Sequence, residues 1–281
     1  LDKTKRAVSL DQSSKESSML ATEREVFERD GAAVLRGVFT DWIELLREGV
    51  EYNATHPGPS FRNYTPEKTR GRFFGDYCNW QRIEPFRDFV EHSTAASVAQ
   101  ALMGSQRARI FHEHVLVKEA GAAKLTPWHH DEPYYCVSAE QAVSLWIPLD
   151  PVPRETCVEF VAGSHKWGKL FRPRKFSGVA YDHKSDRLEE LPDIDANRDD
   201  YRILGWDLEP GDAIAFNFHT VHGAPGNLAS QQSRRVVSFR WLGDGAHYVD
   251  RGGETSPPYP ELMGRLKSGD PLPEAEFPFI V

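Results

Sequence analysis

The chain changes character near its middle. Up to about residue 104 the apolar positions fall at helical spacing, and from Ala108 onward they come as short alternating runs broken by Gly and Pro. Trp42, Leu45, Leu46 and Val50 share one face of a helix predicted over 41–53, with Thr40 or Asp41 as its cap. A second helical pair is expected over 83–104. Upstream, Thr22 followed by Glu25 reads as a capping box for a short helix through Val26 and Phe27 that stops at Asp30-Gly31. The run 32–38 reads as a first strand. Residues 57–79 are polar with interspersed aromatics (Phe61, Tyr64, Phe73, Phe74, Tyr77) and read as one long loop.

Beyond them the alternation predicts strands over 109–118, 136–148, 157–162, 213–218 and 235–242. Regular short strands with Gly and Pro punctuation argue for a mainly β barrel or jelly roll. Residues 167–211, rich in charge and Pro, interrupt that series and are expected to form a lid or rim. Residues 1–20 lack periodicity and read as a flexible N-terminal tail, which leaves 21–281 as a single domain.

Composition narrows the partners. The net charge is −8, from 34 basic against 42 acidic residues, which argues against a nucleic-acid surface or a polybasic membrane anchor and points to small molecules. Cys78, Cys136 and Cys157 are far apart with no CxxC pair, so a reduced, cytoplasmic setting is expected. The longest apolar run, 142–149, falls well short of the roughly 20 residues that span a bilayer. No secretory signal is read in the chain.

The candidate chemistry centres on Thr126-Pro127-Trp128-His129-His130-Asp131-Glu132. On a strand, side chains alternate, so His129 and Asp131 point one way and His130 the other. An imidazole and a carboxylate are two parts of the facial triad that holds non-haem iron(II) and leaves positions open for a cosubstrate and dioxygen. The third ligand must be a distant His. His165 and His183 lie in turn-like or polar contexts that demand no ligand. His222, where a strand breaks into Gly223-Ala224-Pro225-Gly226, is preferred, with His219 as the alternative. Arg234 follows His222 by twelve residues and carries a planar guanidinium suited to a carboxylate.

In this order the motifs resemble the phytanoyl-CoA dioxygenase family of iron(II) and 2-oxoglutarate dependent oxygenases. The matching segments are Pro127 to Asp131, Leu145 to Asp150, Val158 to His165, Pro210-Gly211-Asp212, His222-Gly223 and Arg234 to Ser238, over about 27–242. The resemblance implies a double-stranded β-helix (cupin-like jelly roll) with flanking N-terminal helices. It implies iron(II) on His129, Asp131 and His222, 2-oxoglutarate chelating that iron with its far carboxylate on Arg234, and ascorbate as a supporting reductant. His114 and Trp146 fall near positions that contact the cosubstrate in relatives, and each reads equally well as packing.

Two departures stand out. The usual Ser two residues after the distal His is Ala224, and the usual Asn-Gly before the Gly-Ser-His strand is Glu155-Thr156. Asp131 itself argues for hydroxylation, because halogenating relatives replace that carboxylate with a small residue. The expected reaction is hydroxylation of an unactivated C–H bond of a small anionic molecule, with dioxygen consumed and succinate and carbon dioxide released. Trp128, His130, Tyr134 and Arg172 are candidate substrate contacts, and the basic run Lys169 to Lys175 is a candidate anion grip or a solvated rim. An acyl-CoA hydroxylase and a non-catalytic cupin-like metal-binding or sensor protein are the alternatives. A sensor would have no need of Arg234 in register.

Overall fold

A computed structural model describes residues 20–67, 69–174, 181, 188–228 and 231–281. The tail expected over 1–20 therefore lies almost wholly outside the described residues, as do Lys175 and His183.

A helix over 20–30 (α1) already includes Thr22, so that residue lies inside the helix rather than at its cap. The helices α2 (Ile43–Thr55), α3 (Glu84–His92) and α4 (Ala95–Met103) follow the expected apolar spacing. Ser93 and Thr94 separate the last two, and Gly104 ends α4 in a left-handed conformation, φ 63°, that glycine adopts without strain. A 3-10 turn, Thr40–Trp42, precedes α2.

In chain order the strands are β1 (Ala32–Leu35), β2 (Arg62–Asn63), β3 (Phe73–Tyr77), β4 (Arg109–Lys118), β5 (Thr126–His129), β6 (Val137–Ser138), β7 (Ala142–Pro148) and β8 (Glu159–Val161). Then come β9 (Leu170–Phe171), β10 (Leu188–Glu189), β11 (Ile203–Leu204), β12 (Ala213–Phe216), β13 (His222–Ala224), β14 (Arg234–Leu242) and β15 (His247–Tyr248). Seven form one sheet in the order β1-β12-β7-β14-β4-β3-β2, and four form a second in the order β11-β8-β13-β5. All pairings within these two sheets are antiparallel. The chain is mainly β, a jelly roll with helices on one side.

Two expectations change. The run 57–79 is not a single loop, because Phe73-Phe74-Gly75-Asp76-Tyr77 is a fully buried strand of the large sheet. Its Asp76 carboxylate is satisfied inside, accepting from Asn53 Nδ2 at 2.9 Å and Gly58 N at 2.6 Å. The strand expected over 136–148 is broken at 139–141 into β6 and β7.

The large sheet sorts its two faces by alternation. Val115 and Val117 of β4, Leu145 and Ile147 of β7, and Val237, Phe239 and Trp241 of β14 join the cluster that buries Phe86, Phe89, Leu46 and Val50 of the helices. Each such fully buried side chain contributes about 2–3 kcal/mol of transfer free energy. The opposite face carries His112, His114 and Lys118 of β4, Trp146 of β7, and Arg234 and Arg240 of β14, all of which line one cavity. The apolar face holds the helices and the polar face holds the site.

Candidate metal and cosubstrate site

The cavity encloses about 300 Å³ between the two sheets. His129 is the last residue of β5 and His222 the first of β13, directly opposite each other in the ladder. A bulge after His222 shifts the register, and Gly223 fits there because a Cβ would sit 3.1 Å from the Trp128 ring and 3.2 Å from Thr126 O. Asp131 is not on the strand. Its backbone turns to φ −76°, ψ −36° ahead of the 3-10 turn Glu132–Tyr134, where Pro133 fits the first turn, and its N–H donates to Phe218 O at 2.8 Å. The two side chains converge because the chain turns, not because a strand alternates.

The three side chains meet. Asp131 Oδ1 lies 3.7 Å from His129 Nε2 and 3.8 Å from His222 Nε2, and one donor atom from each residue lies within 4.8 Å of the others. His129 Nδ1 is 2.8 Å from Pro127 O and His222 Nδ1 is 2.9 Å from Thr220 O. A carbonyl only accepts, so each Nδ1 carries the proton and each Nε2 presents a lone pair to the centre. Burial, added to by the neighbouring His129, pushes His222 down to about 3, and burial also lowers His129, so both imidazoles are neutral near pH 7. Burial acts to raise Asp131, but the Arg240 guanidinium and the two imidazoles outweigh it and hold the carboxyl at about 2. Two neutral imidazoles and an ionised carboxylate aimed at one point can hold a divalent metal. His219 is elsewhere, 3.9 Å from Glu132, which is itself paired with Arg251 at 3.1 Å.

Arg234 opens into the same cavity. It is 6% exposed, its Nη2 reaches Pro225 O at only 3.4 Å, and its Nη1 is buried without a hydrogen-bond partner. Lys118 is directly opposite it on β4. Lys118 Nζ donates to Pro225 O at 3.0 Å and Thr126 Oγ1 at 3.2 Å, and burial, with Arg234 beside it, pushes its pKa down to about 6. Sequence reasoning missed Lys118, because a Lys ending a strand reads as solvated until the ladder places it across from Arg234. The buried His114 Nε2 and Ser238 Oγ also lack partners, and Trp146 flanks Ser238 in the ladder. A cavity end with a buried guanidinium, one of its nitrogens unpartnered, and a buried amine beside it fits a dicarboxylate such as 2-oxoglutarate.

A family model described as phytanoyl-CoA dioxygenase (PhyH) matches residues 27–236. The chain belongs to the phytanoyl-CoA dioxygenase family. It is a 2-oxoglutarate dependent non-haem iron dioxygenase by that membership, and its cofactors are iron and 2-oxoglutarate. Solved structures of similar fold include the epimerase SnoN of nogalamycin biosynthesis in complex with Fe3+, alpha ketoglutarate and nogalamycin RO, at TM-score 0.73 and 23% identity over 94% of this chain and 100% of that one. The alpha ketoglutarate dependent carbocyclase SnoK matches at TM-score 0.71 and 22% identity, over 92% and 96%. EctD from S. alaskensis with 2-oxoglutarate and 5-hydroxyectoine matches at TM-score 0.67 and 17% identity, over 90% and 85%.

The remaining candidates line the cavity mouth of this family member with unequal engagement. Trp128 Nε1 donates to Asp195 Oδ1 at 2.9 Å. His130 Nε2 accepts from Phe171 N at 2.9 Å, an anchor for β9. Tyr134 stands edge-on to the His129 ring, and its hydroxyl exchanges two 2.9 Å bonds with the Arg174 backbone. Arg172 and Arg174 share Glu190, at 3.2 and 2.7 Å. Lys169 pairs with Glu189 at 2.7 Å. Ala224 lines the cavity where the family has Ser, so no hydroxyl is offered there. Arg235 faces the other way, onto Asp150 at 2.7 Å, as alternation requires. No helix among the described residues is long and apolar enough to cross a membrane.

Proposed function

We propose that the chain hydroxylates an unactivated C–H bond of a small, anionic organic molecule. In this reading His129, Asp131 and His222 hold iron(II), while Arg234, with Lys118 beside it, takes the far carboxylate of 2-oxoglutarate. The observation that carries it is the coexistence, in one cavity, of three converging metal donors and a buried guanidinium with an unpartnered nitrogen.

The bound metal and cosubstrate would supply the oxidation, with dioxygen consumed and succinate and carbon dioxide released. The chain's own work is orientation and the exclusion of water. Tyr64, Tyr77, Tyr134 and Phe171 wall the mouth, where a substrate would replace water beside the metal donors. An anionic substrate is supported by Arg62, which also lines the mouth and is held by the neutral carbonyls of Phe61 at 2.9 Å and Pro59 at 3.4 Å. Arg172 and Arg174 are already neutralised by Glu190, so they support this reading less than Arg62 does. Three unpaired thiols, two of them buried, fit a reducing, cytoplasmic setting. The carboxylate of Asp131 favours hydroxylation over halogenation, since it takes the place a halide ligand would need.

The test is anaerobic titration of the iron(II)-loaded protein with 2-oxoglutarate, watching for the weak visible charge-transfer band of a chelated 2-oxoacid. The wild type is expected to give the band. Arg234→Ala should need roughly 10- to 100-fold more 2-oxoglutarate, the worth of a charge-assisted pair, while binding iron normally. Absence of the band in the wild type rejects the reading. Succinate release coupled only to neutral lipids rejects the anionic substrate.

A further inference from the structure

Arg240 stands on the same inward face of β14 as Arg234, six residues further on, roughly 20 Å along the strand. It serves the opposite end of the cavity. At 5% exposure its charge needs a partner, because a guanidinium taken out of water without one is strongly disfavoured. Its partner is the Asp131 carboxylate, with Nε 3.4 Å from Oδ2. The other oxygen, Oδ1, is the one that faces both imidazole nitrogens, at 3.7 and 3.8 Å. One carboxylate is thus divided, with one oxygen turned to the metal donors and one to Arg240.

Further contacts fix the direction of the guanidinium. Arg240 Nε donates to the Tyr135 hydroxyl, and Nη1 reaches Ser238 O at 3.4 Å. The Tyr135 ring is itself wedged edge-on between Phe111, His112 and Phe218, with centroids 5.1 to 5.3 Å away. Because the single Nε hydrogen goes to that hydroxyl, Arg240 meets Asp131 Oδ2, which is buried without a hydrogen-bond partner, as a charge rather than as a donor. Neither Arg240 nor Tyr135 is one of the three converging donors.

We propose that Arg240 is a positioning residue that reserves Asp131 Oδ2 and so commits the carboxylate to ligating the metal through one oxygen. The proposal rests on the ligand assignment made above. An unrestrained carboxylate can give a metal one oxygen or both. Three single-atom protein ligands leave three of six positions for the two donor atoms of 2-oxoglutarate and for dioxygen. A second Asp131 oxygen would take one of those three. Arg240 does not touch the reacting atoms; its charge, 3.4 Å from Oδ2, draws away the oxygen that would fill that position.

The experiment is Co(II) titration of the wild type, Arg240→Met, Arg240→Lys and Tyr135→Phe under nitrogen, reading the visible absorption of bound Co(II) and its change on adding 2-oxoglutarate. A wild type that takes up no Co(II) overturns the ligand assignment itself, a separate failure. Given wild-type binding, Arg240→Met is expected to need about 10- to 100-fold more 2-oxoglutarate to change the spectrum of bound Co(II), because the freed second oxygen takes a position the cosubstrate needs. The spectrum before 2-oxoglutarate is added should change as well, with Arg240→Lys recovering part of each. A folded Arg240→Met with the wild-type spectrum and 2-oxoglutarate response overturns the proposal. If circular dichroism shows that Arg240→Met does not fold, Arg240→Lys and Tyr135→Phe carry the same decision: a perturbed Co(II) spectrum supports it and an unchanged one overturns it.

Discussion

Lys118 and Arg234 face each other across two strands, where the polar atoms they reach are backbone carbonyls and a threonine hydroxyl and the Phe73 ring lies 4.6 Å from Lys118 Nζ. A charge on Lys118 beside the buried guanidinium destabilises the fold, and a dicarboxylate would relieve it. Lys118 makes this measurable. Between its folded value near 6 and the ordinary 10.5, the unfolded chain holds a proton at this site that the folded chain does not. Stability therefore rises with pH through that window, by up to about 1.4 kcal/mol per pH unit, and the penalty is full below about pH 6. Lys118→Met should raise the melting temperature at pH 7 and raise it much less at pH 10. Equal shifts at the two pH values would show that Lys118 is charged in the folded protein. At this scale the sequence offered His129, Asp131, His222 and Arg234 as candidates, because ligand chemistry restricts residue types, and the fold brings all four to one cavity. The sequence hid Lys118 and Arg240, whose roles come from strand register and not from their neighbours along the chain.

Strand β3 shows why elements were harder to read than ligands. Its aromatic residues have high β-propensity, but Gly75 and Asp76 at its centre are residues that strands disfavour. Both are explained only by what lies across from them. A Cβ at Gly75 would come within 3.0 Å of His114 Nε2, so glycine leaves that imidazole its room on the cavity face. Asp76 joins α2 and the segment after it to the sheet through Asn53 and Gly58. Asp76→Ala would strand three donors, Asn53 Nδ2, Gly58 N and Tyr77 N, and unmet buried donors cost about 1–3 kcal/mol each. The variant should melt several degrees lower while the wild-type Co(II) affinity is retained, since Asp76 touches no metal donor. Loss of metal binding in a variant that still melts cooperatively would make Asp76 a support of the candidate metal donors. The helices were legible but their starts were not: α2, α3 and α4 each bury a single apolar stripe against one face of the sheet, while Thr22 lies inside α1 and Thr40 and Asp41 lie in the 3-10 turn before α2 rather than at its cap.

Across the whole molecule, the segment that carries two of the three candidate metal donors is also the one that fastens the rim. Within seven residues, Trp128 bonds Asp195, His130 receives the Phe171 amide, and Tyr134 clasps the Arg174 backbone. These are the residues that sequence reasoning offered as substrate contacts. They line the cavity, but their polar atoms are already engaged with the chain between β8 and β12. The expectation of a rim over 167–211 came from composition; where it attaches depends on contacts some 40 to 70 residues apart in sequence, which no local pattern encodes. The arrangement ties the position of the mouth to that of the metal donors, so a shift at one would be felt at the other. His130→Phe tests the tie at one point, since it removes the acceptor of the Phe171 amide and keeps a ring in place. Amide exchange at Phe171 and its neighbours should quicken by about 10-fold or more, the worth of one buried bond. Co(II) uptake should stay close to wild type, because His130 Nε2 is turned to β9 and away from the triad. Unchanged exchange would mean that Trp128 and Tyr134 alone hold the rim, and a collapse of metal binding would make His130 part of the metal centre.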